Sequence, residues 1–317
     1  MLKSLFEKFF RIGVPILLFC CSAAFAQPER KPDNRVRPVT IPISIFTKEE
    51  LKERRIGEFV EAGDLLVRED GDEQVILSVR SMSDNPLELA ILIQDDLSSS
   101  VNLELKGLAD FIRRLPRGSR VLVAYLRGGS AQVRQKFTQD LEKAANSLRV
   151  VLGGSAAGNP YEGVYEIVKR FDALPMGRRA ILLVSNGYDP SRGMVNLNSL
   201  QSVELDQAIA SAQRRSIAVY SFYTASALTE NANSNLTLNA QSLLQRLSDE
   251  TGGRAFFQGT GAPVSFDPFF KDLSLALTRQ FALTYLSTHL KKGYHKVQVT
   301  STNPQVRIEH PKGYFYR

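Results

Sequence analysis

Two different periods of apolar residues divide the chain. Apolar residues occupy every second position over 39–45, and again over 65–67 and 75–79. This two-residue period is typical of β-strands. The sequence Glu-Asp-Gly-Asp at 69–72 is typical of a hairpin turn between the last two runs. We therefore predict an N-terminal β segment over residues 39–84.

The pattern changes after Asn85-Pro86. Short, almost wholly apolar runs now alternate with longer runs in which apolar residues recur every three or four positions, which predicts buried strands and amphipathic helices in turn. The predicted strands are 87–94, 121–126, 180–184, 217–223 and 254–257, with 131–137 as a possible edge hairpin. The predicted helices are 105–115, 141–151, 161–171, 203–214, 243–250 and 268–279.

Buried strands that alternate with helices are typical of a parallel sheet covered on both faces. We therefore predict an α/β fold with a doubly wound, mostly parallel sheet over 86–279. The tail, 281–317, returns to strands with a two-residue period. Because a lone hairpin is marginal in water, we expect the flanking segments 39–84 and 281–317 to join in one small all-β module.

The first residues have the pattern of a secretory signal peptide over 1–26. A basic start precedes an uncharged apolar stretch over 12–25, and Ala24-Phe25-Ala26 matches a signal peptidase site. A core helix or a retained membrane anchor is the alternative, but the apolar run is short for a membrane span. Residues 27–38, rich in proline and charge, are predicted to be a linker. We expect a secreted or periplasmic protein with no membrane span after cleavage.

Composition indicates the cellular compartment and argues against some classes of function. Both cysteines, Cys20 and Cys21, lie inside the predicted signal peptide, and a mature chain without disulfides fits a bacterial periplasm or cell exterior. The net charge of +7 comes from interspersed residues, so we expect no nucleic acid as a partner. The histidines, His289, His295 and His310, lack zinc-motif spacing, and we expect them at the surface.

The loop after the first strand of the predicted α/β sheet carries the candidate chemistry. In an open parallel sheet, ligands bind at the carboxyl ends of the strands, near the point where the strand order reverses. The loop has the pattern D-x-S-x-S, in which Asp96, Ser98 and Ser100 can point to one spot. Such an oxygen-only set suits Mg²⁺ or Mn²⁺. The alternative is an ordinary helix N-cap, a position that also favours Asp and Ser.

This strand, loop and helix resemble the first metal-binding loop of a von Willebrand factor A (VWA) domain. Further fragments resemble, in order, a bacterial group of VWA-related proteins named for its abundance in Acidobacteria. These fragments are GDLLVREDGDEQV (63–75), NPLELAILIQDD (85–96), FTQD (137–140), ETGGRAFF (250–257) and HPKGYFYR (310–317). The resemblance spans most of 39–317. It implies an exported protein with β segments on either side of a VWA core.

The resemblance also implies a metal site with five oxygen ligands from three loops. Three ligands match the aspartate and the two serines of the D-x-S-x-S loop. A threonine is expected where this chain has Asn159, with Ser155 as an alternative, and an aspartate is expected where it has Asn186. Asp95 and Asp189 are candidates for restoring some negative charge at the site through bridging water. The site has lost one carboxylate, so both a weak metal site and a vestigial one stay open.

We predict an exported binding or adhesion module for a protein partner, whose carboxylate would complete the coordination of the metal ion. One alternative is a structural scaffold with a vestigial metal site. Another is a metal-assisted hydrolase that uses Asp96. The sequence contains no nucleophile elbow, no cysteine outside the signal peptide and no evident general base beside Asp96, so we expect the protein not to be an enzyme.

Cleavage after Ala26 is the first testable consequence. Mass spectrometry of the exported protein is expected to find its N-terminus at Gln27. Recovery of protein with an intact Met1 from the cytoplasm alone would contradict export.

Overall fold

In the part of the chain that the structure describes, the strands form two β-sheets, one with seven strands and one with six. The computed structural model describes residues 36–48, 50, 64–154, 158–190, 202–226 and 234–316. The predicted signal peptide, residues 27–35 of the predicted linker and Ser155 lie outside the described residues.

The seven-stranded sheet is antiparallel and draws on both ends of the chain. Its strands are β1 (Arg37–Thr47), β2 (Leu65–Glu69), β3 (Asp72–Ser81), β10 (Gln280–Ser287), β11 (Gly293–Ser301), β12 (Val306–Glu309) and β13 (Gly313–Tyr316). Their spatial order is β12-β1-β10-β3-β2-β11-β13. Strand β10 therefore lies between β1 and β3 and joins the two flanking segments in one sheet, as expected from the sequence.

The six-stranded sheet is formed by the middle of the chain. Its strands are β4 (Leu87–Gln94), β5 (Arg120–Arg127), β6 (Ser130–Thr138), β7 (Arg178–Ser185), β8 (Ile217–Tyr223) and β9 (Ala255–Phe256). The spatial order is β6-β5-β4-β7-β8-β9, with β6 antiparallel at the edge and the other pairings parallel. The chain moves outward from β4 to β6 and then returns to the other side of β4, so the strand order reverses at β4. The predicted α/β class with a mostly parallel sheet is confirmed.

Six α-helices accompany this sheet in the described part of the chain. They are α1 (Leu105–Arg113), α2 (Leu141–Asn146), α3 (Pro160–Val168), α4 (Val203–Gln213), α5 (Ser234–Thr251) and α6 (Asp267–Thr278). Two short 3₁₀ helices cover Ser99–Glu104 and Lys169–Ala173. None of the helices in the described ranges combines the length and the apolar character that a bilayer crossing requires.

The two faces of β4 explain why this strand is apolar from Leu89 to Ile93. Side chains alternate between the faces of a strand. Leu89 and Ile91 belong to one apolar cluster, together with α1, α2 and α6, whereas Ala90 and Leu92 belong to a second cluster with α3, α4 and α5. Each buried leucine or isoleucine contributes about 1.5–3 kcal/mol relative to exposure. Helices therefore cover both faces of the sheet that positions the candidate site.

The predicted helix 141–151 ends early. Helix α2 stops at Asn146, and the following segment crosses the edge of the sheet. There the backbone N–H groups of Leu152 and Gly153 donate to the carboxylate and the carbonyl of Asp95, at 3.1 and 2.9 Å. Tertiary hydrogen bonds thus replace the continuation of the helix.

The prediction that the alternating apolar residues of β3 share one buried face is wrong. Val75, Leu77 and Val79 share a period of two, yet Val75 and Leu77 are 65% and 51% exposed. The pairing of β3 with β10 shifts register at Thr284/Tyr285, so that Leu77 is skipped. Such a β-bulge moves the residues beyond it to the opposite face. As a result Ile76 and Val79 both pack against the core of the antiparallel sheet.

A pair of leucines tests this assignment of faces. Leu283 is fully buried in β10, whereas Leu77 is the skipped residue of β3. Leu283→Ala is expected to lower the free energy of unfolding by about 3 kcal/mol, because it leaves a cavity in the core. Leu77→Ala is expected to change it by no more than about 0.5 kcal/mol. Urea denaturation measures both, and equal losses would show that the bulge is misplaced.

Candidate functional site

Three loops meet at the carboxyl ends of β4, β7 and β8. The backbone N–H of Ser98 donates to the carbonyl of Ala225 at 3.0 Å, and Leu97 forms an isolated β-bridge with Ser226. The N–H of Thr224 donates to the carbonyl of Ser185 at 3.1 Å. The D-x-S-x-S loop therefore lies against the loop after β8, at the edge where the strand order reverses.

Gln94 links the loop after β4 to the loop after β7. Its buried Oε1 accepts hydrogen bonds from Ser185 Oγ at 2.6 Å and from the backbone N–H of Asn186 at 3.2 Å. Its side chain also lies beside Asp96 and favours the charged form of that carboxyl. Sequence reasoning missed this residue because it is the last position of an apolar strand and belongs to no recognised motif.

Asp96 is the candidate ligand with the most unusual surroundings. It is 9% exposed, and its buried Oδ1 has no hydrogen-bond partner among the described residues. Burial raises the pKa of this carboxyl, with a smaller contribution from the charge of Asp95, although the side chain of Gln94 opposes the shift. The folded protein thus holds a poorly solvated carboxylate where a cation would be favourable.

Ser98 and Ser100 add two hydroxyl groups to this loop. Ser100 Oγ donates to Ser98 Oγ at 3.3 Å. Ser98 occupies the N-cap position of the 3₁₀ helix Ser99–Glu104, yet its side chain makes no capping hydrogen bond. The N-cap alternative for this serine is therefore not supported, and the hydroxyl is not taken up by the helix end.

Asn159 stands in the loop directly before α3. Its Oδ1 accepts from the backbone N–H of Tyr161 at 3.0 Å and so caps the helix. Its Nδ2 donates to Asp189 Oδ1 at 2.8 Å, and Asp189 Oδ2 accepts from Ser202 Oγ at 2.6 Å. Two predicted site residues, Asn159 and Asp189, are thus in direct contact, and both are buried.

Asn186 has a similar arrangement in the loop after β7. Its Oδ1 accepts from the backbone N–H of Tyr188 at 2.9 Å, and its Nδ2 donates to Ser226 Oγ at 2.9 Å. Gly187 follows with φ of +68°, where a Cβ would lie 2.6 Å from the carbonyl oxygen of Ala240. The turn therefore requires glycine, and the asparagine stabilises it from within.

Asp95 serves a different network from that of its neighbour. Arg149 donates to both of its oxygens at 2.8 and 3.0 Å, and Arg127 lies 3.4 Å away. Burial opposes ionisation of Asp95, but the hydrogen bonds from Arg149 and from the N–H of Leu152 outweigh it and lower the pKa. The charge of Asp95 is therefore balanced by arginine.

The donors present fit a divalent ion only in part. The D-x-S-x-S loop offers one carboxylate with an unpartnered oxygen and two hydroxyls. The amide oxygens of Asn159 and Asn186 each accept a backbone N–H, which leaves one lone pair on each. An ion bound by such a set would keep several waters and gain little from direct charge attraction.

A second group of possible ligands lies on the antiparallel sheet. One ligand atom each from Glu69, Asp70 and His295 lie within 4.8 Å of one another. The expectation that the histidines are surface residues is wrong for His295 and His310, which are buried. Their ring nitrogens are occupied by hydrogen bonds to groups that include Asp70, 225 residues away from His295. No local pattern reports such a long-range partner.

Removal of the charge is expected to lower the free energy of unfolding at Asp95 but not at the adjacent Asp96. In a metal-free buffer at pH 7, Asp95→Asn should lower the free energy of unfolding by about 2 kcal/mol, because Arg149 loses a charged acceptor. Asp96→Asn should cause no loss, because folding disfavours the charge that it removes.

The pH dependence of unfolding checks the signs. A lowered pKa stabilises the fold above the ordinary pKa of an aspartate, and this contribution is lost as pH falls through the folded-state value. The gap between the wild type and Asp95→Asn should therefore shrink below about pH 4. A gap that stays constant across this range would contradict the assignment.

Comparisons with known proteins give only distant similarity. No family model and no curated protein matches the sequence. Similar solved structures include the conserved hypothetical protein BatB from Bacteroides thetaiotaomicron (14% identity, TM-score 0.43), covering 61% of this chain and 97% of that one. An aerotolerance-related membrane protein from Bacteroides fragilis NCTC 9343 has 12% identity and a TM-score of 0.43, covering 60% of this chain and 98% of that one.

A third similar structure is a von Willebrand factor type A protein from Catenulispora acidiphila. It has 11% identity and a TM-score of 0.44, and the match covers 89% of this chain and 74% of that one. The similar structures thus include a von Willebrand factor type A protein.

Proposed function

We propose that the chain is an exported, VWA-like binding module that takes a protein partner at the carboxyl ends of its parallel strands. The observation that carries the proposal is the unpartnered, buried Oδ1 of Asp96 at the point where the strand order reverses. In doubly wound sheets, the type to which we assign this one, ligands bind at that point.

Exposed apolar residues beside the loop support a protein as the partner. Leu103 follows the D-x-S-x-S loop, and Val150 and Leu152 lie in the segment after α2; all three are more than half exposed. The two segments are joined by a hydrogen bond from the N–H of Val151 to Asn102 Oδ1 at 2.8 Å. Neighbouring exposed apolar side chains on a soluble domain commonly mark an interaction surface.

A weakly bound Mg²⁺ or Mn²⁺ ion is part of this proposal. Asp96, Ser98 and Ser100 would hold it, and the partner's carboxylate would supply charge that this chain lacks where it has Asn186. The ion would act as a bridge between two proteins. Because Asn159 and Asn186 are occupied within their own loops, the affinity before the partner arrives would be low.

A non-enzymatic role agrees with the surroundings of Asp96. Its near neighbours in the loop are Gln94, whose amide does not titrate, and the hydroxyls of Ser98 and Ser100. Asp95, the adjacent carboxylate, is paired with Arg149. A metal-assisted hydrolase that uses Asp96 would need a general base, that is, a proton acceptor beside the reacting group, and these neighbours do not provide one.

Affinity capture from the envelope fraction of the source cell tests the proposal. The wild type is expected to retain a partner in Mg²⁺ and to lose most of it in EDTA. Asp96→Ala should abolish the Mg²⁺-dependent fraction, and Leu152→Asp should weaken capture in either buffer. Asn186→Asp should strengthen capture in Mg²⁺, because a second carboxylate adds direct attraction for the cation.

Leu77→Asp is the matched control, since it places the same charge on an exposed apolar residue of the other sheet. It should capture the partner as the wild type does. Capture that ignores Mg²⁺ and Asp96 but still needs Leu152 would favour a scaffold with a vestigial metal site. Capture that is lost equally in Leu77→Asp and Leu152→Asp would reject a specific surface on the α/β domain.

A further inference from the structure

We propose that the antiparallel sheet holds a second metal site, for a zinc-type divalent transition ion, formed by Glu69, Asp70 and His295. Glu69 is the last residue of β2, Asp70 begins the turn to β3, and His295 lies near the start of β11. Strands β2 and β11 pair with each other. This pairing brings residues from opposite ends of the chain to one point.

The distances between the donor atoms suit a single small ion. His295 Nδ1 lies 2.8 Å from Asp70 Oδ2 and 3.3 Å from Glu69 Oε1. Zinc bonds to nitrogen and oxygen of about 2.0–2.1 Å, in tetrahedral geometry, separate neighbouring ligand atoms by about 3.3 Å. Small side-chain movements would therefore bring the three atoms into one coordination shell.

The second ring nitrogen of His295 is already positioned for this role. His295 Nε2 lies 2.6 Å from the carbonyl oxygen of Lys291, which can only accept, so Nε2 carries a proton. Nδ1 faces the two carboxylates, and a metal ion bound there would take the place of the proton in its hydrogen bond with Asp70. Metal-binding histidines are commonly oriented by such a hydrogen bond to a backbone carbonyl.

Glu69 supplies independent evidence for a cation. It is fully buried, and its Oε2 has no hydrogen-bond partner among the described residues. Its Oε1 accepts from Tyr314 Oη at 2.7 Å and from Ser287 Oγ at 3.0 Å. A buried carboxylate with an unpartnered oxygen is costly unless a positive charge compensates it.

The charges around the group leave room for a divalent ion. Glu69 and Asp70 contribute two carboxylates, and Arg37 lies 3.7 Å from Glu69 as an arginine partner in the described part of the chain. A divalent cation that displaces the proton between His295 Nδ1 and Asp70 would offset the remaining negative charge.

His289 lies beside the group and is not counted among its ligands. Its Nδ1 lies 3.9 Å from Asp70 Oδ2, and its ring centroid is 6.0 Å from that of His295. A set of one imidazole and two carboxylates, with water in the fourth position, is mixed nitrogen and oxygen, which suits zinc better than magnesium. The selectivity of this group should therefore differ from that of the oxygen-only loop at Asp96.

Titration calorimetry with the full mature chain, stripped of metal, tests the site. Zn²⁺ should bind at one site, and Mg²⁺ should not compete. Asp70→Asn should weaken Zn²⁺ binding by at least about tenfold, since it removes a charged ligand. This variant keeps the turn, because Asp70 has φ of +51° and asparagine tolerates that conformation.

Asp72→Asn is the matched control, with the same substitution two residues along the same turn, and should change the affinity by less than about threefold, as expected of an exposed charge. Nuclear magnetic resonance of the histidine rings should place the ion on Nδ1 of His295. Equal affinity in the wild type and Asp70→Asn, or no saturable Zn²⁺ binding, would overturn the proposal. Loss of the Zn²⁺ site in Asp96→Asn would place the ion in the α/β domain instead and would also overturn it.

Discussion

The pairing of β10 with β3 is the constraint on which the arrangement of the chain depends. Phe281 lies opposite Ser81 in this ladder, and the N–H of Met82 donates to the carbonyl of Gln280 at 2.9 Å. The chain thus leaves the antiparallel sheet and re-enters it at neighbouring positions, about 200 residues later. Because both ends of the insertion are fixed, the α/β domain can form its two apolar clusters between them, and Phe46 of β1 packs into the first cluster.

Arg178 reinforces this junction from the α/β side. It is the first residue of β7 and is buried, and it donates to Gln280 Oε1 at 2.5 Å and to the carbonyls of Ser83 and Asn85, each at 3.3 Å. It also donates to the carbonyl of Leu277 near the end of α6, where the helix dipole favours a cation. Burial lowers the pKa of this guanidinium, and several carbonyls together compensate its charge.

The sequence predicted the parts of the fold that local pattern controls. The period of apolar residues located most strands and helices, since burial on one or two faces directly sets that period. It failed where a distant segment decides the outcome. The bulge at Leu77 depends on the register of β10, and the early end of α2 depends on hydrogen bonds to Asp95.

The residues of the candidate site also differ in whether a local sequence pattern reveals them. The D-x-S-x-S motif, the asparagine before α3 and the asparagine after β7 are visible locally, and the strand order brings their loops to one edge. Gln94 carries no motif, and the contact between Asp70 and His295 spans 225 residues. Polar side chains gain such roles only from tertiary neighbours, so a single sequence holds no local sign of them.

Asparagine at positions 159 and 186 has a structural consequence for the α/β loops. In a site with several carboxylates, repulsion between the loops is relieved by the ion, which couples binding to loop order. Here Asn159 caps α3 and Asn186 closes its own turn through neutral hydrogen bonds. Asp189 is held by Asn159 and Ser202. The loops are therefore ordered without a cation. A partner bound at this edge, as we propose, would meet a preorganised surface, and less of its binding energy would be lost to ordering the loops.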